Sequence, residues 1–232
     1  TLHAIDQSNE AVIDWLAQQC LDRGMSVEKI AVDAAHGKYN LIATKGKGPG
    51  GLVLSGHSDT VPCNPELWEQ DPWSLKQTDH RLSGLGATDM KGFFPVALAA
   101  IDRFDESKLC APVILLATAD EESSMNGARA LRDIGRPKAR AAVIGEPTGL
   151  RPIYAHKGVM MERISVVGKA GHSSNPQLGV NALEVATEVL AFLKQLNQSM
   201  KDRWHDPKFE ISYPTLNLGC IHGGDHRSTK MR

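Results

Sequence analysis

Acidic and imidazole side chains follow three short apolar segments of the sequence, each typical of a buried strand. The side chains are His57, Asp59, Asp120, Glu121, Glu122 and Glu146, and they follow the segments 52–55, 113–118 and 141–144. Ligands of open α/β sheets bind outside the carboxyl ends of the strands, so we expect these side chains to meet at one edge. Carboxylates crowded together raise one another's pKa unless a cation neutralises them. Because imidazole and carboxylate ligands suit Zn²⁺, Mn²⁺ or Co²⁺, the pattern predicts a divalent-metal site.

Asp89 is a further candidate ligand, because it directly precedes a helix predicted over residues 90–104 and a loop could turn it inward. Each candidate also has an ordinary structural interpretation. Taken singly, these are a strand-end histidine at His57, a helix N-cap at Asp89, the first acidic turn of a helix at Glu121 and Glu122, and a loop carboxylate at Glu146. All of them would have to hold at equivalent strand ends, so the set together favours a metal site.

Two spacings suggest separate roles within this set. Asp59 lies two residues after His57, which places both side chains on the same face of an extended segment. A carboxylate beside a metal-binding imidazole fixes its tautomer and its orientation. The adjacent residues Glu121 and Glu122 allow one carboxylate to bind a metal while its neighbour takes a proton from water.

The elements that position these groups alternate between strands and helices up to about residue 155. Strands are predicted over 27–32, 39–44, 52–55, 113–118 and 141–144, and helices over 9–23, over 90–104 and in a segment that ends before Gly135. This order predicts an α/β domain, with a mostly parallel sheet and helices on both faces. The string 46–51 satisfies GxGxxG but leads into a strand rather than a helix, so we interpret it as a turn.

The pattern changes beyond this region. Segments 160–167 and 211–218 predict strands, and 180–196 predicts an amphipathic helix whose apolar stripe suits either a dimer contact or an ordinary core. We therefore expect two domains, a metal-binding catalytic domain over 1–156 and a smaller α+β domain over 157–232.

Composition excludes few classes but favours some. The 232 residues carry 26 Lys and Arg against 27 Asp and Glu, without a basic block, which argues against nucleic-acid and membrane-surface partners. No apolar run approaches the roughly 18 residues of a membrane helix, and no GxSxG of a serine hydrolase follows a strand. The four cysteines are scattered, which predicts a reducing, cytoplasmic setting.

Five motifs occur in a fixed order along the chain. They are SGHSDTVP, GLGATDMKGFF, LLATADEESS, GEPTG and AGHSSNP. In order and wording they resemble the M20 family of zinc-dependent aminoacylases and peptidases. Together with AHKGVM and YPTLNLGCIHGGD (213–225), the chain is similar to members that act on N²-acetyl-L-ornithine. The resemblance implies a catalytic α/β domain and a ferredoxin-like lid or dimerisation domain, both incomplete here.

The resemblance also implies a site with two divalent ions, Zn²⁺ or Co²⁺. In it, His57 and Glu146 would hold one ion, Glu122 the other, Asp89 would bridge them, Asp59 would orient His57, Glu121 would be the general base, and His172 would polarise the scissile carbonyl. In relatives this last histidine reaches the partner subunit's site, so a homodimer is expected. Without the resemblance, His172 is an ordinary loop histidine beside turn-forming serines.

The expected reaction is hydrolysis of N²-acetyl-L-ornithine to L-ornithine and acetate, a step of arginine biosynthesis. The alternatives are removal of a succinyl group from succinyl-diaminopimelate, hydrolysis of another N-acyl amino acid, and metal binding without catalysis. Family members are longer at both ends and carry a further histidine ligand of the second ion. Since residues 226–232 also depart from the family pattern, we expect weak or no turnover from this chain.

Overall fold

The computed structural model of the chain describes residues 8–224 and the backbone of residues 230–231. Most of the divergent segment 226–232 thus lies outside the described residues. The chain divides into two compact units, Thr1–Pro152 and Ile153–Arg232. Among the described residues, no helix is both long and apolar enough to cross a membrane.

The first unit is built on a five-stranded sheet. The strands of the unit, in chain order, are β1 (Ser26–Asp33), β2 (Lys38–Lys45), β3 (Leu52–His57), β4 (Lys76–Thr78), β5 (Arg81–Ser83), β6 (Val113–Thr118) and β7 (Ala141–Ile144). The large sheet has the order β1-β2-β6-β3-β7, and β4 pairs with β5 in a separate hairpin. The predicted strands are therefore confirmed. The string 46–51 forms a series of bends before β3, as its interpretation as a turn requires.

The sheet is mixed rather than mostly parallel, although the α/β class is confirmed. Strand β3 runs parallel to both β6 and β7, whereas β1 with β2 and β2 with β6 are antiparallel. Only the short helical turn Ala34–His36 and Gly37 separate β1 from β2. Because a parallel pair needs a crossover of a dozen residues or more, this connection can only form a hairpin.

Helices cover both faces of the sheet, as predicted. They are α1 (Glu10–Leu21), α2 (Phe93–Ile101) and α3 (Asn126–Ile134). Helices α1 and α2 pack against the face that carries Leu41 and Leu115, and Leu131 of α3 packs against Ile42 and Val53 on the other face. All six residues of β6 are buried, which explains why this strand is apolar without alternation.

Helix α2 begins three residues later than predicted. Residues 90–92 form a separate turn, in which the N–H of Gly92 donates to the carbonyl of Gly86 at 3.1 Å. This N–H is therefore hydrogen-bonded to the loop that precedes the helix. Gly92 becomes the N-cap, and Asp89 lies one turn further back.

The second unit contains one long helix and little strand. Strand β8 (Gly171–His172) pairs antiparallel with β9 (Lys230–Met231), and α4 (Ala182–Arg203) confirms the predicted helix and extends it. The predictions of strands over 160–167 and 211–218 are wrong: both segments are described, and neither forms a strand. Their alternation predicted half-buried strands, but no neighbouring strand pairs with them among the described residues, so Met160 and Val167 are 80% and 90% exposed.

Candidate metal centre

Six of the seven predicted site residues lie together at one edge of the sheet in the first unit. They are His57, Asp59, Asp89, Glu121, Glu122 and Glu146. Strands β6, β3 and β7 are parallel neighbours, so their carboxyl ends point to the same edge. The topology thus gathers side chains that are up to 89 residues apart in the chain, from 57 to 146.

His57 is the centre of this group. Its side chain is only 2% exposed, and its Nδ1 lies 3.0 Å from the backbone carbonyl of Asp59. A carbonyl only accepts, so Nδ1 carries the hydrogen and Nε2 has the lone pair of the neutral ring. Nε2 lies 3.1 Å from Asp89 Oδ1, and 3.9 Å from both Glu121 Oε2 and Glu146 Oε1. A ring held through Nδ1, with Nε2 facing carboxylate oxygens, is the usual arrangement of a metal-binding histidine.

The side chains fall into two overlapping groups that could hold a cation. Donor atoms of His57, Asp89 and Glu146 lie within 4.8 Å of one another, as do those of His57, Glu121 and Glu122. The first group is the set predicted to surround one ion. The second joins a predicted ligand, Glu122, to the predicted base, and the division of roles between these two glutamates stays a prediction. One imidazole nitrogen with carboxylate oxygens is a donor set that Zn²⁺ accepts, so the residues fit a divalent ion.

The carboxylates of the group crowd one another. Burial raises the pKa of Glu122, and the charges of Asp89 and Glu121 raise it further against the opposing effect of His57. Burial also raises the pKa of Glu146, where His57 opposes and the same two acids reinforce the shift. A bound dication removes this repulsion, which is a second indication that the residues fit a metal.

Carboxylates of the same group also raise the pKa of the His57 imidazole, which favours its charged form. Burial lowers the pKa of His57, but the Asp59 carboxylate and the charge of Glu121 outweigh burial and raise the pKa to about 9. The group therefore attracts positive charge at neutral pH, from a proton or from a metal ion.

Asp59 has a task that the sequence did not reveal. Its carboxylate accepts the backbone N–H of Glu121 at 3.2 Å and of Glu122 at 3.0 Å, and it lies 3.6 Å from Nδ1 of His57. Burial alone would raise the pKa of Asp59, but the nearby His57 ring and the two backbone N–H groups lower it overall. One carboxylate thus connects the end of β3 to the two glutamates after β6.

The helix-cap interpretations of the acidic residues are wrong. Asp89 does not cap α2, since Gly92 is its N-cap. Glu121 and Glu122 are not in the first turn of α3 either, because that helix begins at Asn126. Asp120 is not part of the group; its carboxylate pairs with Lys38 of β2 at 2.8 Å. Sequence reasoning did not identify this lysine, which stands among the apolar residues of a buried strand.

Glu146 is placed by the residue before it. The N–H of Gly145 donates to the carbonyl of Ser55 at 2.9 Å, which continues the pairing of β7 with β3. A Cβ on Gly145 would overlap the ring of Phe93, at the start of α2. Only glycine therefore allows α2 to approach the end of β7 this closely.

His172, the seventh predicted residue, belongs to the second unit. It is exposed at the end of β8, where its Nδ1 accepts the backbone N–H of Ser174 at 3.2 Å and contacts Ser174 Oγ at 2.7 Å. Since a backbone N–H can only donate, the neutral ring carries its hydrogen on Nε2. The free end of His172 is therefore a hydrogen-bond donor.

Two family profiles match adjacent parts of the chain. The profile of "Peptidase family M20/M25/M40" matches residues 53–159, and that of "Peptidase dimerisation domain" matches residues 154–231. The first contains the six grouped residues, and the second contains His172.

Curated relatives match nearly the whole chain. An "acetylornithine deacetylase" from Photorhabdus laumondii is 47% identical over 222 residues, which cover 96% of this chain and 58% of the relative. An enzyme of the same name from Klebsiella pneumoniae is 48% identical and is covered to 59%. The chain therefore spans somewhat under two thirds of the length of these relatives.

Solved structures agree with the fold. A tripeptidase from Staphylococcus aureus superposes with a TM-score of 0.62 at 19% identity, over 97% of this chain and 59% of that one. An aminopeptidase PepT from Bacillus cereus superposes with a TM-score of 0.53 at 22% identity, over 80% and 52% of the two chains. At these identities the likeness concerns the fold alone.

Proposed function

The chain belongs to peptidase family M20, and from that premise we propose that it is a metal-dependent amide hydrolase that removes the acetyl group from N²-acetyl-L-ornithine. The products are L-ornithine and acetate, and the reaction is a step of arginine biosynthesis. The observation that carries the proposal is the group of one buried imidazole and several carboxylates at the sheet edge. The choice of substrate is supported by relatives of 47–48% identity that are named for this reaction.

The site would hold two divalent ions, Zn²⁺ or Co²⁺. His57 and Glu146 would bind one, Glu122 the other, and Asp89 would lie between them. Such ions lower the pKa of water to about 7 and polarise the carbonyl that is attacked.

Glu121 is the general base of the proposed reaction. It takes a proton from the attacking water and delivers it to the amine that leaves. Its Oε2 lies 3.9 Å from Nε2 of His57, and the side chain remains about one third exposed, so both water and substrate can reach it. A positioned acid–base group of this kind contributes on the order of 10²–10⁴-fold to the rate. Asp59 supports it by holding the backbone of both glutamates.

His172 completes the proposed reaction as a donor. Because Ser174 occupies its Nδ1, the hydrogen on Nε2 is available for the carbonyl oxygen as negative charge develops there. We assign it to the partner subunit's site in a homodimer, which the match to a dimerisation domain supports. The domain division at 156/157 and the cytoplasmic location belong to the same proposal.

Hydrolysis by this chain, reloaded with metal after chelation, tests the proposal. We expect bound Zn²⁺ or Co²⁺ by mass spectrometry, two ions per chain if the residues named above hold both, and weak but metal-dependent acetate release from N²-acetyl-L-ornithine. Faster release of succinate from a matched succinylated substrate would instead indicate a desuccinylase. Tight metal retention without hydrolysis of either substrate would indicate a metal-binding chain without catalysis.

A matched pair of variants separates the base from the ligands. Glu121→Gln should retain both ions and lose about 10²–10⁴-fold in turnover, because the amide cannot take the proton. Glu122→Gln should lose one ion as well as activity. If Glu121→Gln released a metal ion and Glu122→Gln did not, the roles of the two glutamates would be exchanged.

A further inference from the structure

The segment 119–125 connects β6 to α3 and carries both glutamates; we call it the acidic loop. We infer that Lys38 and Asp120 are positioning residues, which hold the acidic loop in the conformation that presents Glu121 and Glu122. The catalytic part of this inference rests on the proposed function, whereas its structural part does not. Neither residue belongs to the groups that could hold a cation.

The first support is a buried ion pair. Lys38 Nζ lies 2.8 Å from Asp120 Oδ1, and the two side chains are only 7% and 10% exposed. Among the described residues, no other pair of a lysine or arginine with an acid is buried on both sides to this extent. Removal of the Lys38 ammonium leaves the buried Asp120 carboxylate without this cation, so the loop is expected to move and expose it.

The second support is the backbone that this pair holds. Asp120 has a φ of 57° and Met125 a φ of 58°, so two non-glycine residues at the ends of the turn are left-handed. The carbonyl of Asp120 accepts the N–H of Met125 at 2.7 Å and closes the turn. Side chains rarely adopt this conformation unless the surrounding structure imposes it. Asp tolerates this conformation better than most residues, and the ion pair with Lys38 holds Asp120 in it directly before Glu121.

A neighbouring side chain on β2 ties the start of the acidic loop to the first turn of α3. Asn40 is fully buried, its Oδ1 accepts the N–H of Ala119 at 2.9 Å, and its Nδ2 donates to the carbonyl of Gly127 at 2.9 Å. Lys38 and Asn40 are two residues apart on one strand and therefore share a face. A Cβ on Gly127 would overlap Ala119 O and Asn40 Oδ1, so this close approach requires glycine.

Each of these contacts holds a different part of the acidic loop. Asn40 ties the start of the loop to α3, Asp59 accepts the two glutamate amides, and the Lys38–Asp120 pair holds the backbone at Asp120. Asp59 can receive both amides only while Asp120 keeps its left-handed turn. Lys38 thus acts on the metal centre through Asp120.

The test compares Lys38→Met with Lys38→Arg and with a control ion pair. Arg23→Met is the control, because Arg23 pairs with Asp102 at 2.9 Å and is not part of the site. In the metal-free chain, Lys38→Met should raise amide exchange of residues 119–127 about tenfold or more. It should also weaken Co²⁺ binding about 10–100-fold and change the visible Co²⁺ spectrum. Lys38→Arg should restore most of both, and Arg23→Met should change neither.

Substitutions at Asp120 cover the case in which Lys38→Met does not fold. Asn accepts a hydrogen bond from Lys38 and tolerates a left-handed φ, so Asp120→Asn should retain most of the protection of the loop. Asp120→Ala should lose it. A folded Lys38→Met with the exchange and Co²⁺ affinity of the original chain would overturn the inference, as would equal protection in Asp120→Ala and Asp120→Asn.

Co²⁺ binding and amide exchange report separately on the metal site and on the acidic loop. If the original chain binds no Co²⁺, the proposed function fails, while the exchange of residues 119–127 still decides whether Lys38 holds the loop. If Co²⁺ binds and the substrate is hydrolysed, Lys38→Met should lower kcat with little change in KM, because Lys38 acts on the reaction through the placement of Glu121 and Glu122.

Discussion

The two units of this chain bury their apolar side chains very differently. The sheet of the first unit has a buried cluster on each face, and its central strand β6 is buried throughout. The long helix α4 of the second unit has no buried residue in its 22, and several large apolar side chains elsewhere in that unit, such as Met160 and Val167, are more than half exposed. Close packing like that of the first unit holds side chains at fixed distances, as the ligands of a metal ion require. All six grouped residues are indeed found there.

Truncation of one leucine in each unit should give the largest contrast. Leu115 is fully buried in β6, so Leu115→Ala should cost about 2–5 kcal/mol through lost burial and the cavity left behind. Leu183 is 50% exposed in α4, so Leu183→Ala should cost less than about 1 kcal/mol. Amide exchange under denaturant, measured separately over β6 and α4, provides both values. Equal losses at the two positions would mean that the second unit has a core of comparable quality.

The same contrast decides what could be predicted from the sequence. Strands β6 and β7 were predicted to the residue, because a continuous apolar run that ends in charges leaves little choice of boundary. The segment 160–167 has an equally strandlike pattern but forms no strand, since a strand also requires a neighbour that a local pattern does not specify. At the site, residue types and strand ends were sufficient to place His57 with Glu146. Contacts made through the backbone, such as the amides that Asp59 accepts, leave no signature in residue types.

The free energy of unfolding of the first unit should decrease at alkaline pH because of one buried cysteine. Burial raises the pKa of Cys20 to about 11 from 9.0, although the charge of Arg23 lowers it. The folded state therefore holds the thiol proton more tightly than the unfolded state. The stabilisation is complete below pH 9 and is lost as the pH rises to 11, by at most about 3 kcal/mol.

Stability measured against pH with Cys20→Ala as the control checks this value. The variant should show a flatter decline between pH 9 and 11. At pH 8, an alkylating reagent should modify the exposed Cys110 and Cys220 much faster than Cys20, which is buried. Alkylation of Cys20 at a comparable rate would show that the core opens readily.

A methyl group added to one glycine in each unit should give a smaller contrast. A Cβ on Gly145 would overlap the ring of Phe93, so Gly145→Ala should cost about 1–3 kcal/mol and displace Glu146. At Gly158, nothing lies within 4 Å of the added Cβ, so Gly158→Ala should be nearly neutral. Denaturation with and without Co²⁺ separates the two effects. If Gly145→Ala lowers stability but leaves Co²⁺ affinity unchanged, Gly145 does not position Glu146.

The smallest contrast concerns two asparagines that occupy the same helical position. Asn181 caps α4 by accepting the N–H of Leu183 at 3.0 Å, and Asn181→Ala should cost about 1 kcal/mol, the usual value of an exposed cap. Asn9 precedes α1 without capping it, and its side chain donates instead to the carbonyl of Tyr39 and to Ser58 Oγ.

Asn9→Ala should therefore cost more than the loss of a cap, about 1–3 kcal/mol, because it leaves buried hydrogen-bonding groups without their partner. Amide exchange should locate the effect in β2 and at the end of β3, and should leave the first turn of α1 nearly unchanged. In Asn181→Ala, by contrast, the first turn of α4 should exchange faster and nothing else should. If Asn9→Ala instead loosened only the first turn of α1, Asn9 would act as an ordinary helix cap, as Asn181 does.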